Sequence, residues 1–388
     1  MTPLLPDVHS APAQQQPDWQ DLSLVQQVRG NLSRMSPLVR LADLLTLRAQ
    51  LARVAAGEAH VLQCGDCAEN PEDRTRGDVV RKAALLDVLA GTMRMRTHKP
   101  VLRVGRIAGQ FSKPRSASTE QVGDTVLPVY RGHMVNRPEP TAERRRPDPS
   151  HILSCYAAAA EIMGHLGWQA SVQSRVDSPL WSSHEALLLD YEVPLLRTSE
   201  GQTWLSSTHW PWIGERTRQV DGAHVALLAG VVNPVACKVG PSMTTQEIRT
   251  LCERLDPNRE PGRLTFIVRM GARTVADRLP PLLEAVRAIG HPVIWLCDPM
   301  HANTVMTPDG LKTRHLDTVI REVQDFQFAV RAAGGVAGGL HLETTADEVT
   351  ECVGGEISVS RVADKYTTLC DPRLNPAQAI AVVSAWQG

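Results

Sequence analysis

The feature that most restricts what this chain can fold into is the shape of its apolar runs. They are short and continuous, and each gives way to a polar, turn-prone segment. HVLQC (60–64) runs into GDCAEN, and VLRVGRIA (101–108) into GQFSKPRS. RLTFIVRMG (263–271) ends in MGAR, HPVIWLCDP (291–299) leads into MHANT, and GGLHLETT (338–345) closes the series. A strand that is apolar on both faces must be covered on both, which is the condition of a parallel sheet. Helical stretches lie between these runs, as parallel crossovers require. HVALLAGVVNPVACKVG (224–240) holds a helix and then a strand. PPLLEAVRAIG (280–290) reads as a helix opened by Pro and closed by Gly. Ser36-Pro37 opens another, with Leu38, Leu41, Leu45 and Val54 on its apolar face and Gly57 as its stop. Thr345 and Glu348 have the spacing of a capping box for a helix after the last strand.

The count of such units suits an α/β protein of the closed (β/α)8 type, a TIM barrel. The expected organisation is a short N-terminal arm over residues 1–35 and a catalytic barrel over residues 36–388. Within the arm, the first twenty residues are rich in Pro and Gln and read as extended. Polar residues fall where a barrel would use them. Arg106, Lys113, Lys238, Arg269, His301 and Glu343 sit at or just past the C-terminal ends of the expected strands. In a (β/α)8 barrel that rim is where active sites lie.

Composition removes several function classes. The 388 residues carry a formal net charge of −1 and only 4% aromatics, which argues against nucleic-acid binding by charge or by stacking. The short basic run Arg144-Arg145-Arg146 reads as solvated loop. No apolar run approaches the ~18 residues of a membrane span. No basic segment followed by an apolar stretch marks a secretory signal, so the expected location is the cytoplasm, with eight cysteines as thiols or ligands. Neither a dinucleotide-binding glycine motif nor a Walker A loop is present.

Four segments offer metal ligands: Cys67 in GDCAEN, His301 in CDPMHANT, Glu343 in GGLHLETT and Asp371 in CDPRLN. One thiolate, one imidazole and two carboxylates suit a divalent transition metal better than a closed structural zinc site. Taken alone, His301 is equally a hydrogen-bonded loop histidine and Cys67 a buried inert thiol. Cys64 and Cys67 also form a C-x-x-C, which keeps a redox reading open. A second constellation is cationic. Arg106, Lys113, Arg115 and Ser116 follow one strand, Glu215, Arg216 and Arg218 lie in WIGERTRQVDGAH, and Lys238 and Arg269 end two more. Arginine forks and lysine charges of this kind hold phosphate and carboxylate. Arg218 and Arg103 are as readily ordinary charges, whereas Arg269 inside FIVRMG would be costly to bury without an anion.

The segments GDCAE, RIAGQFSKPRS, YRGHMVN (130–136), SSHEALLLDYE, WIGERTRQVDGAH, NPVACKVGPSM, RLTFIVRMG, CDPMHANT, LKTRHLD, TECVGG and CDPRLN together resemble the signature segments of type II 3-deoxy-D-arabino-heptulosonate 7-phosphate (DAHP) synthases. They run in family order from about residue 17 to the C-terminus. The resemblance implies a transferase that condenses phosphoenolpyruvate with erythrose 4-phosphate at the start of the shikimate pathway. It implies a divalent metal, Mn²⁺ foremost and Co²⁺ as another, on Cys67, His301, Glu343 and Asp371. It assigns phosphoenolpyruvate to Arg106, Glu215, Arg216, Lys238 and Arg269, and the aldehyde phosphate to Lys113, Arg115 and Ser116. Lys238, Glu215 and His301 are its candidates for proton transfer, and a homo-oligomer, dimer or tetramer, is expected.

Three positions depart from the family pattern. Cys64 stands where glycine is usual, His133 replaces the aspartate of YRGD, and Ser242 precedes Met243 where asparagine is usual. The His133 departure keeps an alternative open, a sibling synthase that takes an amino or imino sugar phosphate to aminoDAHP. The short connection between YRGHMVN and SSHEALLLDYE resembles short members of phenazine-type secondary pathways, which implies weak feedback by aromatic amino acids. Cys370 adjoins Asp371, so a disulfide with Cys67 would compete with a metal if the two sulfurs meet.

Overall fold

The computed structural model describes residue 8, residues 10–168 and residues 179–388; the expected extended arm therefore lies partly outside the described residues. Eight parallel strands close into a barrel. They are β1 (His60–Gly65), β2 (Val101–Arg106), β3 (Trp181–Glu185), β4 (Trp210–Ile213), β5 (Val235–Val239), β6 (Leu264–Val268), β7 (Ile294–Cys297) and β8 (Ala337–Glu343). Each pairs with its neighbours in chain order, and β8 returns to β1. The closing register sets Gly65 beside Glu343 on one side and beside Arg106 on the other. Three strand ends therefore meet at one level of the rim.

The pleat explains the continuous apolar runs. Outward residues such as Leu62, Phe266, Leu340 and Leu342 join one apolar cluster with the surrounding helices. Inward residues such as Val61, Ile267 and Ile294 join a second. Toward the C-terminal end the inward positions become polar: Gln63, His341, Glu343, Lys238 and Ser183 are all buried there. Both faces are thus dry low in the barrel, and the chemistry is confined to one end.

Two barrel strands have no apolar run to announce them. β3 reads WSSHE and β4 reads WPWI. The first is polar because Ser183 and Glu185 face inward near the rim. The second carries a proline, which gives up one ladder hydrogen bond.

The outer layer holds α3 (Arg76–Thr97), α4 (Ser150–His165), α5 (Ala223–Ala229), α6 (Thr245–Leu255), α7 (Val275–Ala288), α8 (Leu316–Ala332) and α9 (Pro376–Ser384). After β3 the helix is reduced to one turn, Leu189–Glu192. Helix α1 (Leu22–Arg34) packs against that turn and against α4, burying Val25, Val28 and Leu32. This part of the N-terminal segment thus contributes to the outer layer. Helix α2 (Leu41–Ala55) lends Leu47, Leu51 and Val54 to the cluster that seals the N-terminal end of the barrel.

Three local expectations are corrected. Residues 36–40 are not helical, because the amides of Leu38 and Val39 both donate to the Ser206 carbonyl. Helix α7 begins at Val275, and Pro280 and Pro281 lie inside it. Each proline forfeits one backbone bond, but burial of Leu279, Leu282, Leu283 and Val286 holds the helix together. No helix starts at Thr345: its hydroxyl accepts from the Asp347 amide at 3.3 Å in an irregular segment. The capping box after β8 is Asn375 with Gln378, and Pro376 is the first helical residue.

Candidate active site

The C-terminal rim surrounds a cavity of about 450 Å³. At its base Cys67, Glu343 and Asp371 bring one ligand atom each within 4.8 Å of one another. Cys67 Sγ lies 3.5 Å from Asp371 Oδ2. His301 joins through its Nε2, 3.5 Å from Glu343 Oε1. Three of the four predicted ligands therefore cluster, and His301 reaches that cluster through Glu343. The Cys67 and Cys370 thiols lie close enough to influence each other's ionisation.

The donor set fits a cation. His301 Nδ1 is 2.8 Å from Asp298 Oδ2 and 3.0 Å from Oδ1, so its proton sits on that nitrogen. The Nε2 lone pair then points at a carboxylate oxygen. Burial keeps the imidazole pKa below its ordinary value and hence the ring neutral. The carboxylate oxygen it faces is Glu343 Oε1, 3.5 Å away, while Oε2 is ion-paired with Arg314 at 2.9 Å. Two acceptors aimed at one point, next to a thiol and a second carboxylate, are resolved by a positive ion. An imidazole oriented by a carboxylate behind it is a recurrent arrangement for metal ligands.

Asp298 belongs to a chain of buried groups across the barrel. It is ion-paired with Lys238, whose Nζ lies 2.9 Å from His341 Nε2. Arg106 Nη1 lies 2.7 Å from the same nitrogen. His341 Nδ1 is 2.7 Å from Gln63 Oε1, and Gln63 Nε2 donates to Ser183 Oγ at 3.0 Å. Two cations on Nε2 require His341 to be neutral, with its proton toward Gln63. Burial first, and then Lys238 and Arg106, hold its pKa well below the ordinary value.

Glu343 is ringed by cations: Arg106 Nη2 at 3.1 Å, Arg314 Nη2 at 2.9 Å and Lys113 Nζ at 3.8 Å. Burial alone would raise its pKa, but the charges of Arg314, Lys113 and Arg106 hold it well below the usual carboxylate range. Asp371 pairs with Lys312 at 2.8 Å and lies 3.8 Å from Lys113.

Lys113, Arg115, Ser116, Glu215, Arg216, Lys238, Arg269 and His301 all line the cavity. Arg106 does not. It sits one layer below, bonded to the carbonyls of Asp66 and Cys67 and to Glu343. Arg216 Nη2 donates to Ser116 Oγ at 2.6 Å, which joins the β4 and β2 loops. Glu215 is tied by Arg218 at 3.0 Å and by Ser242 at 3.4 Å, so Arg218 and Ser242 brace the wall. Arg103 pairs with Asp87 on the surface. Arg269 is half-buried, lines the cavity and directs its guanidinium at no described residue.

Sequence reasoning missed Asp298, His341, Arg314 and Glu185. Asp298 had a signal, since it lies three residues before His301. Glu185 ends β3 and lines the cavity, with a buried Oε1 that accepts no hydrogen bond. A Cβ at Gly214 would stand 2.0 Å from that oxygen, so glycine there makes room for the carboxyl. Burial raises its pKa, against the pull of Lys113, Lys238, Arg106 and Arg216. The departures lie aside from the cavity. His133 is buried against Tyr130, with Nδ1 2.7 Å from the phenol oxygen, and lines no part of it. Cys64 faces outward from β1 into the apolar layer, where burial pushes its thiol up to about 12. That is the state of an inert thiol.

A closed parallel barrel with metal-type donors at its rim, beneath a wall of arginine and lysine, has the make-up of an enzyme that handles small anions. Comparison with known proteins identifies the kind. The class-II DAHP synthetase family matches over residues 5–178 and 162–385, and the chain belongs to that family. It is 56% identical to a probable phospho-2-dehydro-3-deoxyheptonate aldolase of Pseudomonas fluorescens, over 100% of this chain and 98% of that protein. It is 41% identical to the phospho-2-dehydro-3-deoxyheptonate aldolase of Streptomyces coelicolor, over 95% and 93% of the two chains. Among solved structures, an aldolase of the same name from Francisella tularensis shares the fold, with a TM-score of 0.55 at 13% identity over 96% of this chain and 100% of that one. No described helix is long and apolar enough to cross a membrane.

Proposed function

We propose that this protein condenses phosphoenolpyruvate, erythrose 4-phosphate and water into DAHP and inorganic phosphate, the entry step of the shikimate pathway. The observation that carries the reading is Arg269, a cavity guanidinium with no described protein partner, set beside Arg216 and Lys238. A half-buried cation that faces a cavity beside two more cations suits an anion. Arg216, Lys238 and Arg269 would hold the carboxylate and phosphate of the enol substrate, and Arg106 would charge the floor beneath them. Lys113, Arg115 and Ser116 would hold the phosphate of the aldehyde.

Cys67, His301, Glu343 and Asp371 would hold a divalent cation, Mn²⁺ foremost, which when bound supplies Lewis acidity toward the aldehyde oxygen. The chain's own residues account for the rest. The cationic wall fixes the enol phosphate so that C3 meets the aldehyde carbon, and the new C–C bond leaves positive charge at C2 and negative charge on the former aldehyde oxygen. Water adds at C2 and gives up a proton, and the former aldehyde oxygen takes up one to become a hydroxyl. The C2–O bond to phosphate then breaks, the C2 hydroxyl becomes the ketone, and its proton leaves with phosphate. Glu215 and Lys238 are held in ion pairs, whereas Glu185 is the cavity carboxyl without one. Glu185 is therefore assigned the proton from water. Fixed charges around the leaving phosphate supply the electrostatic part of catalysis. Phosphate release that requires both substrates and added Mn²⁺ is expected; turnover without phosphoenolpyruvate would overturn the assignment.

Two further expectations belong to this reading. Between YRGHMVN and SSHEALLLDYE the described residues carry one helix, α4. A short connection of this kind fits a synthase that serves secondary metabolism, and Trp, Tyr and Phe are each expected to inhibit little in steady-state assays. The neighbouring thiols predict that peroxide, which takes two electrons and two protons from Cys67 and Cys370, leaves the metal-free enzyme unable to be activated by Mn²⁺ added afterwards. Dithiothreitol should restore activity, Mn²⁺ loading should protect, and Cys370→Ser should be resistant; an equally sensitive variant would dismiss the pair.

A further inference from the structure

Residues 12–16 run across the rim and touch three of its loops. The Ala223 amide, after β4, donates to the Pro12 carbonyl at 3.0 Å. Gln16 Nε2 donates to the Leu187 carbonyl at 2.9 Å, and the Leu189 amide donates to Gln16 Oε1 at 3.0 Å, both after β3. Between these anchors Gln15 meets the long excursion after β2. Its Oε1 accepts from the Arg115 amide at 2.8 Å, and its carbonyl accepts from Arg131 Nη2 at 2.6 Å.

Arg115 and Arg131 are the two stems of that excursion. Between them a hairpin, Thr119–Val122 paired with Thr125–Pro128, stands beside the cavity, and Thr119, Glu120 and Val129 line it. The stems also meet directly, through the Lys113 amide on the Arg131 carbonyl at 2.8 Å. Gln15 is therefore a single residue that grips both stems, one by its side chain and one by its backbone. It does so at φ +63°, in the left-handed region. A non-glycine residue is strained there and stays only where its surroundings over-determine it. The anchors at Pro12 and Gln16 supply that constraint, and the strained turn aims Gln15 at the stems.

We propose that Gln15 is a positioning residue for the aldehyde substrate: it seats residues 113–131 so that Lys113, Arg115 and Ser116 face the cavity together. The inference rests on the assignment of the aldehyde phosphate to those three residues. Gln15 touches no reacting atom and acts through the Arg115 backbone. A displaced loop leaves the backbone of the enol-phosphate wall, which comes from β4, β5 and β6, in place, and reaches that wall only through the Ser116–Arg216 hydrogen bond. The loss therefore falls mainly on one substrate.

The test compares Gln15→Ala and Gln15→Leu with Gln15→Glu, which keeps an acceptor oxygen for the Arg115 amide. Ala and Leu are expected to raise KM for erythrose 4-phosphate about tenfold while KM for phosphoenolpyruvate stays within about twofold. Glu should restore the wild-type value. Hydrogen–deuterium exchange of residues 113–131 should quicken in the Ala and Leu variants alone, a readout that needs no turnover. An unchanged aldehyde KM, an equal rise for both substrates, or unaltered exchange would each overturn the role of Gln15. A wild-type enzyme that fails to use erythrose 4-phosphate, with the exchange difference present, would instead remove the substrate assignment and leave the seat intact.

Discussion

Glu343→Gln is expected to lower phosphate release by about 10³-fold or more, even at saturating Mn²⁺. Lewis-acid polarisation is worth several kcal/mol, and ~4 kcal/mol is about 10³ in rate. Glu343 is central to that term because it contacts both sides of the site. Its Oε1 faces His301 Nε2 at 3.5 Å, and its two oxygens draw in Arg106 and Arg314. A neutral amide cannot balance those charges. Removing one partner of a buried pair costs roughly 3–5 kcal/mol, because the other is left uncompensated. The variant should therefore melt at lower temperature than wild type in the presence of chelator, where no metal contributes to either. The pH dependence of that deficit follows from the charge. The folded carboxyl is held well below the usual range, so its stabilisation is complete above the unfolded value of ~4.3 and fades as pH falls toward the folded value. The deficit should be full at neutral pH and shrink in acid. Retention of more than about a tenth of wild-type turnover would remove Glu343 from the metal set.

The rim residues most legible in the sequence sit at or near the end of a largely apolar strand. Arg269, Lys238 and Glu343 interrupt or end continuous apolar runs, and that is what marked the rim. β3 and β4 lacked the mark. Ser183 and Glu185 face the polar end of the interior, and Pro211 breaks the run in β4, so these strands were visible only once the barrel was closed. The family resemblance supplied the metal donors, which spacing alone left undecided between ligand, loop histidine and inert thiol. It did not supply the groups behind them. Asp298 acts on His301 through a local turn, but His341 meets Lys238 and Gln63 only because β8 lies beside β1 and across from β5. No local pattern encodes a contact across a barrel. Gln15 is the extreme case. A polar, Gln-rich segment reads as an arm, and only the closed rim shows what it holds.

Glu185→Gln is expected to lower kcat by about 10²-fold or more, the usual contribution of a positioned proton acceptor, with a small change in KM for either substrate. Glutamine keeps the size of the side chain and fits the space left by Gly214, so the loss would report chemistry and not packing. The pH profile gives a second readout. Burial raises the Glu185 pKa, and the nearby Lys113 and Lys238 only partly oppose it. If the base is the active form, kcat rises with pH through a value above the ordinary ~4.3 of glutamate, and that acidic limb should be absent in the variant. Stability should move the other way. A group whose folded pKa is raised stabilises the protein below its unfolded pKa and loses that contribution as pH rises through the folded value. At neutral pH the ionised, unpaired carboxyl is a burden on the fold, and Glu185→Gln should melt at the wild-type temperature or above it. Lost turnover with undiminished stability is the pattern of a group kept for function at the expense of the fold. A general collapse of the site cannot produce it, because collapse lowers both. An acidic limb that survives the substitution, or a kcat close to wild type, would instead return the proton to Lys238 or Glu215 and require one of their ion pairs to open during turnover.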